Sequence, residues 1–228
     1  METLAAARRA LAADLADLTP QQWATPSLCG GWTVEQTLAH LTAAAVTTLP
    51  RWLLGVAAAG GRPAVHDQRR LTEQLGPDPA GTLARFAAVD PARTGPSKHT
   101  AAWLGEVLVH GQDVRRPLGL PGTPPVAAWT TVAGFYAARD FAVPSRTVAR
   151  GLRLEAVDGP FATGAGPLVR GRTEALVMVL AGRRAHLEEV DGEGIAVLAG
   201  RIRAGAGPYA VPAGRAGRVV EGGGLENR

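Results

Sequence analysis

The segment Ala102-Trp-Leu-Gly-Glu-Val-Leu-Val-His-Gly-Gln-Asp113 places a carboxylate, Glu106, and an imidazole, His110, four residues apart among mostly apolar neighbours. On a helix, residues at that spacing project from one face, a single turn apart. A carboxylate oxygen and an imidazole nitrogen in this arrangement can bind one Zn²⁺ at roughly 2.0–2.2 Å. An exposed hydrogen-bonded pair is the alternative, but the apolar neighbours favour burial, and a buried charge needs a partner. The segment therefore predicts a buried helix with two candidate metal ligands.

A third candidate ligand lies in an earlier helical segment. Thr33 and Gln36 form the pattern of a capping box, which marks the beginning of a helix that we predict to reach about residue 56. Apolar residues follow at three- and four-residue spacing, and His40 lies beside the face that they form. A histidine from this second helix would complete three ligands and leave a position open for water or substrate. Alone, His40 would more often be an ordinary core or surface histidine, so its candidacy depends on Glu106 and His110.

Helical periodicity recurs throughout the first 144 residues. We predict longer helices over residues 3–18, 33–56, 97–118 and 126–141, and short helices between residues 60 and 96. Proline or glycine marks most of their ends, because neither residue continues a helix well. This part of the chain is therefore predicted to be a four-helix bundle with additional short helices.

The pattern changes after Ser145. Apolar and charged residues alternate over residues 152–156, which predicts a strand, and Asp158-Gly-Pro160 predicts the turn after it. Residues 171–183 have helical periodicity, and residues 195–198 are predicted to form another strand. We therefore expect a mainly α chain with a small α+β part. Its predicted divisions are a bundle domain (residues 1–144), an α+β domain (145–204) and a flexible tail rich in Gly, Ala and Arg (205–228).

Composition excludes several classes of protein. The net charge is only +4 and the arginines are scattered among acids, which argues against binding to nucleic acid. No apolar run approaches the roughly 20 residues that a membrane-spanning helix needs. The lone cysteine, Cys29, excludes an internal disulfide and suits a reducing compartment, so we expect a soluble, cytoplasmic protein. A single cysteine between Leu28 and glycines is most simply a small buried hydrophobic residue.

The remaining histidines and the tryptophans give no further candidate ligand. We place His66 in a polar turn, His99 near the beginning of a helix and His186 on the surface. The five tryptophans are expected to anchor the packing between helices, because each can bury a large apolar area.

Two segments give the sequence a family resemblance. Residues 26–41 contain Gly31-Trp-Thr-Val34 leading into the helix with His40, and residues 103–119 contain Glu-x-x-x-His, then Asp113 and a closing Leu-Gly. Both segments resemble the mycothiol-dependent maleylpyruvate isomerase family, a branch of the DinB-like metal-binding four-helix bundles. Residues 171–183 and the later Asp191-Gly-Glu-Gly resemble the small sterol-carrier-like domain that is often attached in this family.

The resemblance implies a DinB-like bundle with zinc bound by His40, Glu106 and His110. Mycothiol would be the thiol cosubstrate, since a metal lowers the pKa of a bound thiol and the thiolate is the nucleophile. Asp113 would accept the free ring N–H of His110, and Arg183 would bind an anionic substrate. A solvated helix-end acid and a surface cation are the respective alternatives.

The function stays open among three hypotheses. In the first, the chain is a zinc- and mycothiol-dependent enzyme, an isomerase or an S-transferase, that acts on a small electrophile. In the second, it binds a metal or a small ligand without turnover. In the third, it is a scaffold in which the polar cluster is incidental. A set of two histidines and one glutamate suits zinc best, although another divalent metal could occupy it. A homodimer is possible, because helical bundles occur as monomers and as dimers.

Overall fold

The computed structural model describes residues 1–204, and the predicted tail at 205–228 lies outside the described residues. The chain begins with nine helices: α1 (Glu2–Asp14), α2 (Pro20–Trp23), α3 (Val34–Val46), α4 (Leu49–Ala58), α5 (Pro63–Gln74), α6 (Pro79–Ala87), α7 (Thr100–Leu118), α8 (Val126–Ala138) and α9 (Ser145–Ala149). The C-terminal elements follow in the order β1 (Arg153–Ala156), β2 (Ala162–Thr163), β3 (Leu168–Gly171), α10 (Thr173–Leu180), a 3₁₀ helix (Arg184–Glu189), β4 (Val190–Asp191) and α11 (Ile195–Ala204).

Helix α3 begins at the predicted capping box. The backbone N–H of Gln36 donates to Thr33 Oγ1 at 3.2 Å, and the Gln36 side chain accepts from the Thr33 N–H at 3.0 Å. The predicted continuation to residue 56 is wrong, because Thr47 has an extended backbone and α4 begins two residues later. Pro50 accounts for the break, since proline is costly in the middle of a helix but is tolerated in a first turn.

Helix α7 begins at Thr100, three residues later than predicted, and ends as predicted at Gly119. Gly119 has φ +65°, and its N–H donates to the carbonyls of Arg115 and Arg116. This left-handed ending favours glycine, because other residues pay a steric cost there. The predicted ends of α1 and α8 were too long by four and three residues, and helix ends are the part that local patterns define least well.

The C-terminal part contains a four-stranded sheet in the order β2-β1-β3-β4. β1 runs parallel to β3, with Leu154 opposite Val169, whereas β2 and β4 pair antiparallel at the two edges. The strand predicted at residues 195–198 is wrong, because these residues begin α11. A short apolar run fits both strand and helix periods. Here the helix buries Leu198 and Ile202, four residues apart, on one face.

Helix α7 lies between the two largest hydrophobic clusters. On one side Val107 packs with α1 and α3, for example against Leu11 and Leu38. On the other, Leu108 packs with α8 and α10, in the cluster that contains Trp129 and Leu176. A helix that is buried on nearly all sides holds its polar side chains among its neighbours. Four polar residues of α7 are therefore buried inside the protein: His110, Gln112, Asp113 and Arg115.

The predicted fold class, a mainly helical chain with an N-terminal bundle and a small C-terminal sheet, is confirmed. The division at residue 144 stays a prediction, and one core cluster contains residues from both sides of it. Among residues 1–204, none of the helices combines the length and the apolar character needed to cross a membrane.

Candidate metal centre

Helices α3 and α7 bring the three predicted ligands together. Glu106 Oε2 lies 3.4 Å from His110 Nε2 and 3.7 Å from His40 Nε2. One donor atom from each of the three side chains lies within 4.8 Å of the other two. The side chains of His40 and His110 are buried, and that of Glu106 is 16% exposed. The cluster is therefore nearly enclosed, and its most accessible member is the carboxylate.

The donor set fits a zinc ion. Two ligands of a tetrahedral ion, each at roughly 2.0–2.1 Å from it, lie about 3.4 Å apart. The two distances from Glu106 Oε2 to the histidine nitrogens have this size. Two imidazoles and one carboxylate are also the ligands of many catalytic zinc sites, which keep a fourth position open.

Aromatic and hydrogen-bonding contacts hold the His40 ring. Trp32 lies 4.8 Å from His40 between ring centroids, and the Trp32 Nε1–H donates to Gln68 of α5 at 3.1 Å. On the other side the His110 ring meets His40 edge-on at 5.1 Å. These contacts fix the orientation of the His40 imidazole. Helix α3 contributes only this residue to the candidate ligand set.

Asp113 fixes the orientation of the His110 ring by a hydrogen bond. Its Oδ2 lies 2.9 Å from His110 Nδ1, so Nε2 is the ring nitrogen that faces Glu106. Asp113 is fully buried, which excludes a solvated helix-end acid. A carboxylate on the outer nitrogen of a histidine ligand selects its tautomer and increases its basicity.

Arg183 lies against Asp113 and is not a surface cation. Its Nη2 donates to Asp113 Oδ2 at 2.6 Å and its Nε donates to Oδ1 at 3.1 Å, while Nη1 donates to the carbonyl of Ala181. Burial by itself raises the pKa of Asp113, but the Arg183 charge and the hydrogen bonds with His110 and Arg183 lower it to about 2. Asp113 is therefore ionised at neutral pH.

The carboxylate of Glu106 is ionised as well. Burial by itself raises its pKa, but hydrogen bonds from His110 and His40, together with their charges, hold the pKa well below its usual range. Glu106 is thus ready to accept a cation without first losing a proton, whereas a protonated histidine must lose one.

Two further residues belong to this region. Cys29 is buried as predicted, but its sulfur lies in a second cluster with His110 and Asp113, whose donor atoms are within 4.8 Å of one another. The Leu28 N–H donates to the Asp113 carbonyl at 2.9 Å, which attaches the loop before α3 to α7. The sequence gives a weak signal for this contact, since the cysteine only precedes the helix that contains His40.

Tyr136 of α8 lies against α7 at Gly105, and no sequence signal pointed to it. Burial raises the pKa of Tyr136, the charges of Glu106 and Asp113 raise it further, and the charge of Arg183 lowers it. Tyr136 is therefore a neutral phenol at physiological pH.

Two histidine predictions were wrong. His66 lies in α5 and is buried, with its ring edge-on to Trp52 at 6.3 Å between centroids. His186 is also buried, and its Nδ1 lies near both Arg116 and Glu189. The sequence did not indicate these contacts, because Trp52 and Arg116 belong to other helices and Glu189 belongs to a 3₁₀ helix. His99 does precede α7, as predicted.

Fold and site define a mainly helical protein with a candidate metal centre of two histidines and one glutamate. Residues 4–115 match the family model described as the mycothiol maleylpyruvate isomerase N-terminal domain. The N-terminal half of the chain belongs to this family, and the predicted resemblance is confirmed.

Two solved structures have a similar fold. A crystal structure of the mycothiol-dependent maleylpyruvate isomerase is 20% identical, with a TM-score of 0.54, over 84% of this chain and 90% of that one. A histidine-to-alanine mutant of that isomerase is 18% identical, with a TM-score of 0.52 and the same coverage. At this identity the likeness concerns the fold alone. No curated protein matches the sequence.

Proposed function

We propose that His40, Glu106 and His110 bind one divalent metal ion, for which zinc is the best fit, and that the protein is a mycothiol-dependent enzyme acting on a small electrophile. The convergence of three donor atoms within 4.8 Å, on two helices of the matched domain, carries this proposal. A bound metal ion would supply Lewis acidity, which lowers the pKa of a thiol so that a thiolate forms at neutral pH.

The residues of the chain have distinct tasks in this proposal. Asp113 holds His110 so that Nε2 faces the ligand cluster, and Arg183 holds Asp113 in place. Arg183 also gives the site a positive charge that attracts an anionic substrate. The Nε and Nη2 atoms of Arg183 already donate to Asp113, and Nη1 donates one hydrogen to the Ala181 carbonyl. A substrate carboxylate would therefore accept from the second Nη1 hydrogen.

The proposed reaction begins when the thiolate adds to a carbon–carbon double bond conjugated with a carbonyl group. A C–S bond forms, the double bond becomes a single bond, and rotation about it follows. Expulsion of the thiolate restores the double bond as the other isomer. In an S-transferase the C–S bond would persist in the product. The family name favours the isomerisation.

The first experiment is metal analysis of tag-free protein. We expect about one zinc ion per chain in the native protein, and its loss in His40→Ala and in Glu106→Ala, because three protein ligands make such a site. His99→Ala is the matched control, since His99 is exposed and lies outside the cluster. A native protein that neither contains metal nor takes up added zinc would contradict the proposal.

The second experiment is turnover of maleylpyruvate by the zinc-loaded protein, with and without mycothiol. Isomerisation that depends on the thiol, and that His40→Ala abolishes while His99→Ala retains it, is the expected result. Metal binding without turnover of any small electrophile would instead favour the non-catalytic alternative. The cytoplasmic location and a possible homodimer stay predictions.

A further inference from the structure

Tyr136 packs its hydroxyl group against α7, the helix that contains Glu106 and His110. The residue lies on α8, packs in the hydrophobic cluster beside α7 and is 6% exposed. Its hydroxyl oxygen approaches α7 at Gly105, the residue before the candidate ligand Glu106. Within residues 1–204, none of the hydrogen bonds of the structure involves this hydroxyl. Buried tyrosine hydroxyls usually have a partner, so this one is available to a ligand.

Gly105, the residue before Glu106 in α7, makes room for the Tyr136 hydroxyl. A Cβ atom at position 105 would lie 2.9 Å from the Tyr136 oxygen and 3.1 Å from ring carbon Cε1. Gly105 is an interior residue of α7, where glycine is unfavourable compared with alanine. The close approach of the phenol accounts for a glycine at this position, and it places the hydroxyl one residue away from the candidate ligand.

We propose that the Tyr136 hydroxyl donates a hydrogen bond to an anionic oxygen, carboxylate or enolate, of the substrate bound beside the Glu106 cluster. This inference rests on the proposed function and adds a substrate-contacting residue to it. Both carboxylates of the site are already engaged: Glu106 faces two histidines, and Asp113 pairs with Arg183 and His110. A neutral phenol can lie next to the Glu106 carboxylate and still donate to a substrate oxygen.

The contact matters most while the thiolate adds to the conjugated double bond. As the C–S bond forms, the π electrons move toward the carbonyl oxygen of the substrate, which gains negative charge. A positioned donor stabilises that charge more than it stabilises the ground state. No proton is transferred, because the electrons return when the thiolate leaves.

Tyr136→Phe tests the inference, since it removes only the hydroxyl and keeps the ring that packs near Gly105. Thr131→Ala is the matched control, because it removes an exposed hydroxyl from the same helix. The measurements are metal content, calorimetric titration of the zinc-loaded proteins with maleate, and turnover of maleylpyruvate.

We expect Tyr136→Phe to retain its metal and to bind maleate about tenfold more weakly, as the loss of one hydrogen bond to a charged group predicts. We expect kcat to fall about 100-fold, as after the removal of one oxyanion donor, and the KM for mycothiol to change less than about twofold. Thr131→Ala should match the native protein in all three measurements.

The maleate titration separates this inference from the proposed function. If the native protein binds zinc but has no thiol-dependent activity, the proposed function fails, and the difference in maleate affinity still decides the role of Tyr136. Equal affinity of Tyr136→Phe and the native protein for maleate would overturn the inference. Failure of the native zinc-loaded protein to bind maleate would overturn it as well.

Discussion

Arg183 donates two hydrogen bonds to the fully buried carboxylate of Asp113, at 2.6 Å and 3.1 Å. Asp113 belongs to α7, and Arg183 lies just after α10, so the pair joins the C-terminal part to the helix with two of the candidate ligands. The same Asp113 oxygen that accepts from Arg183 Nη2 also contacts His110 Nδ1. One carboxylate therefore couples the packing of the C-terminal part to the orientation of His110.

Asp113→Asn should weaken both metal binding and the fold. We expect metal affinity to fall about 10- to 100-fold, because the outer partner of a histidine ligand is lost. Stability should fall by about 3 kcal/mol, since the variant leaves a largely buried arginine without its counter-charge. Competition with a chromophoric chelator and urea denaturation would measure the two effects.

Asp14→Asn is the control for that variant, because it breaks a different ion pair of α7, in which Arg115 lies 2.7 Å from Asp14. It should lower stability and leave metal affinity within about twofold, since its partner does not touch the ligand cluster. Native metal affinity in Asp113→Asn would contradict the role that we assign to this carboxylate.

Cys29→Ala should retain about one metal ion per chain, because three other side chains form the proposed set. The alternative cluster of Cys29, His110 and Asp113 needs a carboxylate that is already paired with Arg183. Elemental analysis of the variant and the native protein, purified in parallel, would distinguish the two sets. Loss of metal in Cys29→Ala would make the thiol a ligand.

His186 should make the protein less stable as the pH falls below about 6.5. Burial lowers its pKa from the usual 6.5, although Glu189 acts in the opposite direction, Arg116 adds to the lowering and Asp113 raises it slightly. The contribution of neutral His186 to the free energy of unfolding is therefore complete above the pKa that His186 has in the unfolded chain. It decreases as the pH falls toward the lower pKa of His186 in the folded protein, because in that range only the unfolded chain takes up the proton.

Urea denaturation of the native protein and of His186→Gln at pH 7.5 and pH 5.5 would measure this effect. Acidic groups away from this contact contribute equally to both proteins, so the difference between the two pH dependences reports on His186 together with its partner Glu189. We expect a smaller loss of stability in the variant. An equal loss in both proteins would show that His186 does not contribute.

Leu198→Ala should cost about 3 kcal/mol, as is common for a fully buried leucine. Val197→Ala is the matched control, because Val197 is 41% exposed and its replacement should change stability by less than about 0.5 kcal/mol. Ile202→Ala should resemble Leu198→Ala, since the two residues share one face of α11. Native stability in both Leu198→Ala and Ile202→Ala would contradict the packing of this helix.

The sequence by itself determined the features that depend on residues close together in the chain. The capping box at Thr33 marked the beginning of α3, the left-handed glycine at 119 marked the end of α7, and the four-residue spacing placed Glu106 and His110 on one face. Helix periods and caps are local, because their hydrogen bonds join residues three or four positions apart.

Only the tertiary structure decided which side chains from distant segments meet. Arg183 contacts Asp113 across 70 positions, Cys29 reaches His110 from a loop, and Tyr136 of α8 approaches α7 closely because Gly105 has no side chain. The short apolar run at residue 195 became a helix instead of a strand through burial of Leu198 and Ile202. Such contacts arise from the packing of whole faces, and a local pattern does not specify the partner of each face.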